Sequence, residues 1–278
     1  MILAPRYEGP TILLIDGLPG GLLQPFTRQR RRMLAMLEAM SDQQWTVESR
    51  CAGWTARQVA AHLVTVNTFW RASIVAGLAG TPTRMLAGFN PAASPPVLVD
   101  RMNALSYREV LDQFRASTDM RLNVVGELTD EGWSTQAEAP AGLIAIRALV
   151  QHALWDSWIH ERDVAIPLGI ATAVEPDEVR ACLQFAAAIS PALGIGLGLQ
   201  PSCTLAVEAT DPDIRFVLHV DNTVSVFDRA DPELPCLRGD AVQLVEALTL
   251  RAPMPSTTPA EWTQLLAGLA TAFDAVSI

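Results

Sequence analysis

Residues 143–166 read LIAIRALVQHALWDSWIHERDVAI, and Pro167 and Gly169 close the run. Apolar residues recur across it at three- and four-residue spacing, the pattern of one long helix. No proline or glycine interrupts it before Pro167, which together with Gly169 supplies the stop signal. On this helix His152, Asp156 and His160 stand four residues apart and share one face. The face is otherwise apolar, with Leu149, Trp155 and Ile159 close by. A polar group left without a partner in a core costs roughly 2–7 kcal/mol, so three on one stripe call for a common explanation.

Upstream, further helical patterns run from about Phe26 to Met40, from about Ala56 to Leu78, and between Pro96 and Leu128 with a break near Ser106. Thr55 and Gln58 can satisfy orphan amides at the start of the second pattern as a capping box. Four helices joined by turns and loops predict an antiparallel bundle. After Gly169 the character changes. A helix from Pro176 to Ile189 precedes a break containing Pro191, Gly194, Gly196, Gly198 and Pro201. Strand-like runs follow at Thr204–Val207, Ile214–Val220 and Val224–Phe227, separated by Asp211-Pro212-Asp213 and Asp221-Asn222. Helical patterns from Asp240 to Leu250 and from Pro259 to Phe273 come last. The expected class is α+β, mainly α, with a four-helix bundle over residues 1–172 and a small α+β domain over residues 173–278.

Composition narrows the function. Of the 278 residues 50% are hydrophobic and 18% charged, which excludes intrinsic disorder. The formal charge is −10 and every basic residue is arginine, so no nucleic-acid partner is expected. The one basic run, Arg28 to Arg32, reads as the solvated face of the first helix. Cys51, Cys182, Cys203 and Cys236 are scattered, as in a reduced cytoplasmic protein. The N-terminal MILAPRYEGPTILLIDGLPGG does not read as a signal peptide. Ala181 to Val207 lacks charge, but its clean apolar stretch falls short of the roughly 20 residues a membrane span requires. It reads as a buried helix followed by a loop. A cytoplasmic protein, monomeric by default and without a membrane partner, is expected.

His62 follows Val59 by three positions and precedes Val66 by four, on the buried stripe of the second helix. Ligands at i and i+4 on one helix and a third from a facing helix would leave a metal an open position, as in catalytic zinc sites. The same spacing suits an ordinary Asp156–His160 ion pair beside a hydrogen-bonded core histidine. Spacing alone does not separate the two.

The segment Cys51-Ala52-Gly53-Trp54-Thr55-Ala56-Arg57-Gln58-Val59-Ala60-Ala61-His62-Leu63 resembles the second-helix signature of the mycothiol-dependent maleylpyruvate isomerase family, within the wider DinB-like bundle superfamily. Asp156 to Val164 resembles that family's second signature, a carboxylate four residues before a histidine with an aspartate three residues after it. Leu237 to Leu244 is similar to part of the family's smaller C-terminal domain. The resemblance covers nearly the whole chain and is strongest at the first two motifs. It implies a DinB-like bundle with metal ligands at His62, Asp156 and His160, zinc or another divalent cation, and mycothiol as co-substrate. The family usually has glutamate where this chain has Asp156, one methylene shorter, which leaves His152 as the reserve ligand.

The implied activity is that of a metal-dependent thiol transferase or mycothiol-dependent isomerase. It would activate a low-molecular-weight thiol for S-transfer, thiol exchange or isomerisation of an electrophilic small molecule. A non-catalytic ligand- or metal-binding protein and a metal-dependent hydrolase are the alternatives. Asp163, on a face similar to that of Asp156, could orient a ligand or meet an arginine from the second domain. Arg215 and Arg238 could take a substrate carboxylate bidentately, although each reads first as a surface arginine. Trp54, Trp70, Trp155 and Trp158 could wall a pocket, although tryptophan in a helical bundle is usually core, and Cys51 is read as structural because no positioned base accompanies it in the sequence.

Overall fold

The structure of the chain, a computed structural model, describes residues 1–17, 21–199 and 202–273. Its first half is built from α1 (Leu23–Ala39), α2 (Ala56–Leu78), the short α3 (Ser94–Asp100), α4 (Tyr107–Gly126), the short α5 (Asp130–Ser134) and α6 (Ile146–Ala165). Capping sets two of the long helices in register. Gln58 Oε1 accepts from the Thr55 backbone N–H at 2.9 Å, and Glu109 Oε2 accepts from the Ser106 N–H at 2.7 Å. The second box divides the pattern between Pro96 and Leu128 at Ser106. α2 packs on both α4 and α6, and α1 on α4 and α6, which closes the bundle.

One boundary differs from expectation. Leu143 to Ala145 is extended, forming β3 (Gly142–Ala145) against β2 (Gln136–Ala139), so α6 begins at Ile146. At Gly142, with φ +134°, a Cβ would stand 2.2 Å from the Arg6 carbonyl oxygen, so only glycine fits this crossing. Behind the hairpin the buried Glu138 accepts from Tyr7 Oη at 2.7 Å, Thr83 Oγ1 at 2.6 Å, and the Met85 and Leu86 backbone N–H groups at 2.9 and 2.7 Å. One carboxylate thereby anchors the loop that precedes α3, with its charge fully hydrogen-bonded.

The second half holds α7 (Pro176–Gly196), a five-stranded sheet, and the closing helices α8 (Ala241–Leu248), α9 (Ala260–Leu266) and α10 (Gly268–Ala272). The sheet consists of β1 (Leu13–Ile15), β4 (Cys203–Thr210), β5 (Ile214–Val220), β6 (Val224–Phe227) and β7 (Cys236–Asp240), in the order β1-β6-β5-β4-β7. Three strands were expected, and β1 and β7 add a parallel edge on either side. Leu13 pairs opposite Val224, so a segment near the N-terminus completes a sheet formed much later in the chain. α7 packs against α6 on one side and the sheet, α8 and α10 on the other, and the main hydrophobic cluster runs through it from bundle to sheet.

α7 extends seven residues beyond the expected stop at Ile189 and passes through Pro191. Tertiary contact overrides the proline. Gly268 lies so close that a Cβ there would stand 2.0 Å from the Ser190 carbonyl oxygen, and Ser190 Oγ accepts from the Leu269 N–H at 3.1 Å. Among the described residues α7 is the helix long and apolar enough to cross a bilayer, and here it is buried within the fold. Pro201, part of the expected break, lies outside the described residues.

The basic run of α1 is not a solvated face. Gln29 and Arg30 are buried, and Arg32 binds Glu161 at 2.7 Å and Glu178 at 2.7 Å, joining α1 to α6 and α7. Arg28 pairs with Glu178 at 2.8 Å and also with Asp177. Glu161 and Glu178 are buried carboxylates whose charges these arginines match. Of the run, Arg31 is the exposed member.

Candidate active site

α2 and α6 pack with their polar positions facing. His62, Asp156 and His160 each offer a ligand atom, and the three atoms lie within 4.8 Å of one another. His160 Nε2 stands 3.6 Å from Asp156 Oδ1, and the His62 ring meets the His160 ring edge-on with centroids 5.1 Å apart. His62 Nδ1 and Asp156 Oδ2 are buried atoms with no hydrogen-bond partner. Burial, reinforced by the neighbouring His160, lowers the His62 pKa to about 4, so its ring is neutral near pH 7. Burial works against the Asp156 carboxylate, but His160, His62, His152 and Arg30 together hold it below the usual range.

His152 lies one turn earlier and outside this cluster. Its ring sits against Trp70 and Phe185, centroids 4.6 Å away in each case, and against Trp155 at 5.4 Å. Burial lowers it to about 4, as expected of a neutral ring in an aromatic nest.

Asp163 is buried at the far side of His160 and is the hub of the site. Its Oδ2 is 3.1 Å from His160 Nδ1 and accepts from Cys51 Sγ at 3.1 Å. Arg251 grips both oxygens, donating from Nε to Oδ1 at 2.9 Å and from Nη2 to Oδ2 at 2.8 Å. This bidentate fork holds Asp163 far below the ordinary carboxylate range against the effect of burial. Leu250, immediately before Arg251, adopts φ +63°, a left-handed conformation costing about 1–3 kcal/mol. Asp163 thus meets an arginine from the second half of the chain, as expected of it, although the sequence names neither Arg251 nor Cys51 as its partner. Arg251 arrives with the end of α8, whose Glu246 binds Arg162 of α6, and Cys51 with the turn before α2, where the Arg50 N–H donates to the Asp163 carbonyl at 3.0 Å; no local pattern marks either.

Alongside the hub, Arg50 donates to Glu246 Oε1 at 3.0 Å and Oε2 at 2.6 Å, and Arg162 Nε donates to Oε1 at 2.9 Å. Burial opposes ionisation of Glu246, yet these hydrogen bonds lower its pKa from 4.5. A folded-state pKa below the unfolded one contributes stability above the unfolded value and loses it as pH falls. Glu246→Gln is therefore expected to unfold at lower urea than the native chain at neutral pH. The gap should narrow as pH drops below 4.5. A gap that is constant with pH would contradict the ion-pair account.

The two arginines considered for a substrate carboxylate lie elsewhere, as surface residues. Arg215 is an exposed residue of β5 paired with Asp213 at 3.2 Å, and Arg238 is an exposed residue of β7 paired with Glu208 at 2.9 Å. Both project from sheet strands, and neither lines the cavity at the histidine cluster. Trp54, Trp70 and Trp155 do line it, whereas Trp158 is buried with the Arg162 guanidinium 4.7 Å above its ring. Arg30 and Arg121 are buried behind the cluster, their guanidinium carbons 5.6 and 4.9 Å from the Phe26 ring centroid. Burial lowers Arg30 to about 10. The cavity itself measures about 1170 Å³ and reaches from the three-residue cluster and Arg251 to the loop before α3.

A family model for the mycothiol maleylpyruvate isomerase N-terminal domain matches residues 26–165, from within α1 to the end of α6. Two solved structures share the fold: the mycothiol-dependent maleylpyruvate isomerase and a histidine-to-alanine mutant of it. Each has a TM-score of 0.59 and 14% identity, covering 83% of this chain and 88% of its own. No curated protein matches the chain.

Proposed function

Since this chain belongs to the mycothiol maleylpyruvate isomerase family by the match over residues 26–165, we propose that it is a metal-dependent enzyme that directs a small thiol, mycothiol, at an electrophilic small molecule. His62, Asp156 and His160 would hold the metal. The observation that carries this is the convergence of three donor atoms within 4.8 Å, with Asp156 Oδ2 buried and unpartnered. Tetrahedral zinc with bonds of about 2.0–2.1 Å keeps its ligand atoms about 3.3 Å apart, and the 3.6 Å between His160 Nε2 and Asp156 Oδ1 needs little adjustment. Two imidazoles and a carboxylate suit zinc and leave an open position. The shorter aspartate, in place of the family's usual glutamate, still stands 3.6 Å from His160 Nε2, which supports Asp156 rather than His152 as the third ligand.

When bound, a divalent cation there would favour the thiolate form of a thiol near neutral pH. The protein's own groups do the rest. Asp163 would accept a hydrogen bond from His160 Nδ1–H, leaving Nε2 turned toward Asp156, and Arg251 fixes Asp163 in turn. The apolar cavity walls keep water from competing as the nucleophile. The thiolate sulfur would then add to an electrophilic carbon. Departing again after rotation about the carbon–carbon bond that addition makes single, it would isomerise the substrate; remaining attached while the neighbouring carbon takes up the proton lost by the thiol, it would leave a thioether of the whole thiol.

The test is metal analysis of protein purified without chelator, followed by turnover of electrophiles with and without mycothiol. About one equivalent of metal and strictly thiol-dependent turnover are expected. Turnover without thiol would instead assign a hydrolase, and metal without any turnover a binding protein. Absence of stoichiometric metal would sink the enzymatic reading.

A further inference from the structure

The cavity is large and its wall is mostly aromatic and aliphatic. At about 1170 Å³ it exceeds the roughly 300–1,000 Å³ of most small-molecule pockets. Phe69 and Trp70 of α2, Trp155 of α6, Ile189 and Leu193 of α7, and Phe89 of the loop before α3 line it. Positive charge is scarce: among the described residues the arginines that line it are Arg101 and Arg251. Arg251 is already committed. Its Nε and Nη2 donate to Asp163, and its Nη1 to the Thr249 carbonyl at 3.4 Å. Arg101, exposed just beyond α3, is left to meet an anionic group from outside.

A small dicarboxylate needs two cationic partners, and of the two arginines on this wall only Arg101 is uncommitted. Burying a carboxylate against Trp70, Trp155 and Phe69 would strip its hydration without return. Flat conjugated rings, by contrast, gain both buried area and ring-on-ring contact from such walls. We propose that the electrophile accepted at this site is a bulky, flat, predominantly apolar compound, aromatic or fused-ring, with at most one negative charge. The inference rests on the thiol-enzyme reading only for which end of the ligand reacts.

The test titrates the zinc-loaded full chain with N-phenyl-1-naphthylamine, a neutral aromatic probe that brightens in apolar surroundings, and then competes with maleate. Saturable binding of one probe per chain is expected, with quenching of tryptophan emission and no displacement by millimolar maleate. Val66→Trp and Ala92→Trp fill the cavity from two sides and should each weaken probe binding by about tenfold or more. Circular dichroism melting shows which of them folds normally; if neither does, the maleate competition decides alone. Maleate displacing the probe, or a well-folded filled variant binding it as the native chain does, overturns the proposal. Metal content and thiol-dependent turnover of the same preparation keep the two ideas apart. Probe binding by a chain that takes no metal would sink the enzymatic reading alone. A metal-loaded chain that takes maleate and ignores the probe would sink this inference alone.

Discussion

Replacing His160 with alanine is expected to remove bound metal and thiol-dependent turnover together, whereas His152→Ala keeps both. The two histidines are about two turns apart on α6, on one face, and are equally available to a spacing argument. Their surroundings separate them. His160 has one ring nitrogen tied to Asp163 at 3.1 Å and the other 3.6 Å from Asp156, so the ring is oriented on both sides. Removing it leaves His62 and Asp156 on different helices with no third donor in the cluster. The loss of metal affinity should exceed the roughly 10–100-fold typical of removing an outer partner. His152 is held by Trp70 and Phe185, and its removal opens space among those rings at a cost of about 2 kcal/mol in stability. Elemental analysis after gel filtration, paired with urea unfolding of each variant, reads both effects. Metal retained by His160→Ala and lost by His152→Ala would reverse the ligand assignment.

That contrast also marks what the amino-acid sequence makes legible. Helical spacing places Asp156 and His160 on one face, and the capping residues Thr55 and Ser106 locate two helix starts, because these are local effects decided within one or two turns. His62 joins the site only through the packing of α2 on α6, which spacing cannot supply and family resemblance did. The misses share a cause as well. β1 is three residues that become a strand when Val224–Val226 arrive beside them. β7 carries a single fully buried residue, Leu237, and shows no alternation to read. Pro191 stays helical because α10 covers that stretch, and Arg30 and Arg121 are buried although arginine on a helix usually marks a surface. Leu250 and Arg251 had no local signal, since a left-handed leucine is held by tertiary contacts rather than by its own preference.

Arg251→Ala is expected to destabilise the chain by about 3 kcal/mol and to weaken metal binding at the same time, although Arg251 is not proposed to touch the metal. Asp163 has no exposed side-chain surface, so deleting its fork leaves a buried carboxylate with His160 Nδ1 and Cys51 Sγ as hydrogen-bonding partners and Arg50 Nε at 3.7 Å. Breaking a buried pair in this way typically costs about 3–5 kcal/mol. The lower end applies because the Arg251 side chain keeps 23% of its surface exposed and water softens the loss. Arg251→Lys keeps the charge and gives up the two-pronged grip, so it should recover only part of the deficit. Asp163→Asn is the informative partner. It removes the charge that Arg251 neutralises, so the double variant should be less destabilised than the sum of the single ones, a coupling of about 1–3 kcal/mol. Metal affinity divides differently, because Asp163→Asn still removes the carboxylate that orients His160 and should cost about 10–100-fold whether or not Arg251 is present. Equilibrium urea unfolding of the four proteins, with metal competition against a chromophoric chelator, separates these two roles. Additive stabilities would place Arg251 outside the hub. Native metal affinity in Asp163→Asn would mean that His160 is oriented by the packing of α6 alone.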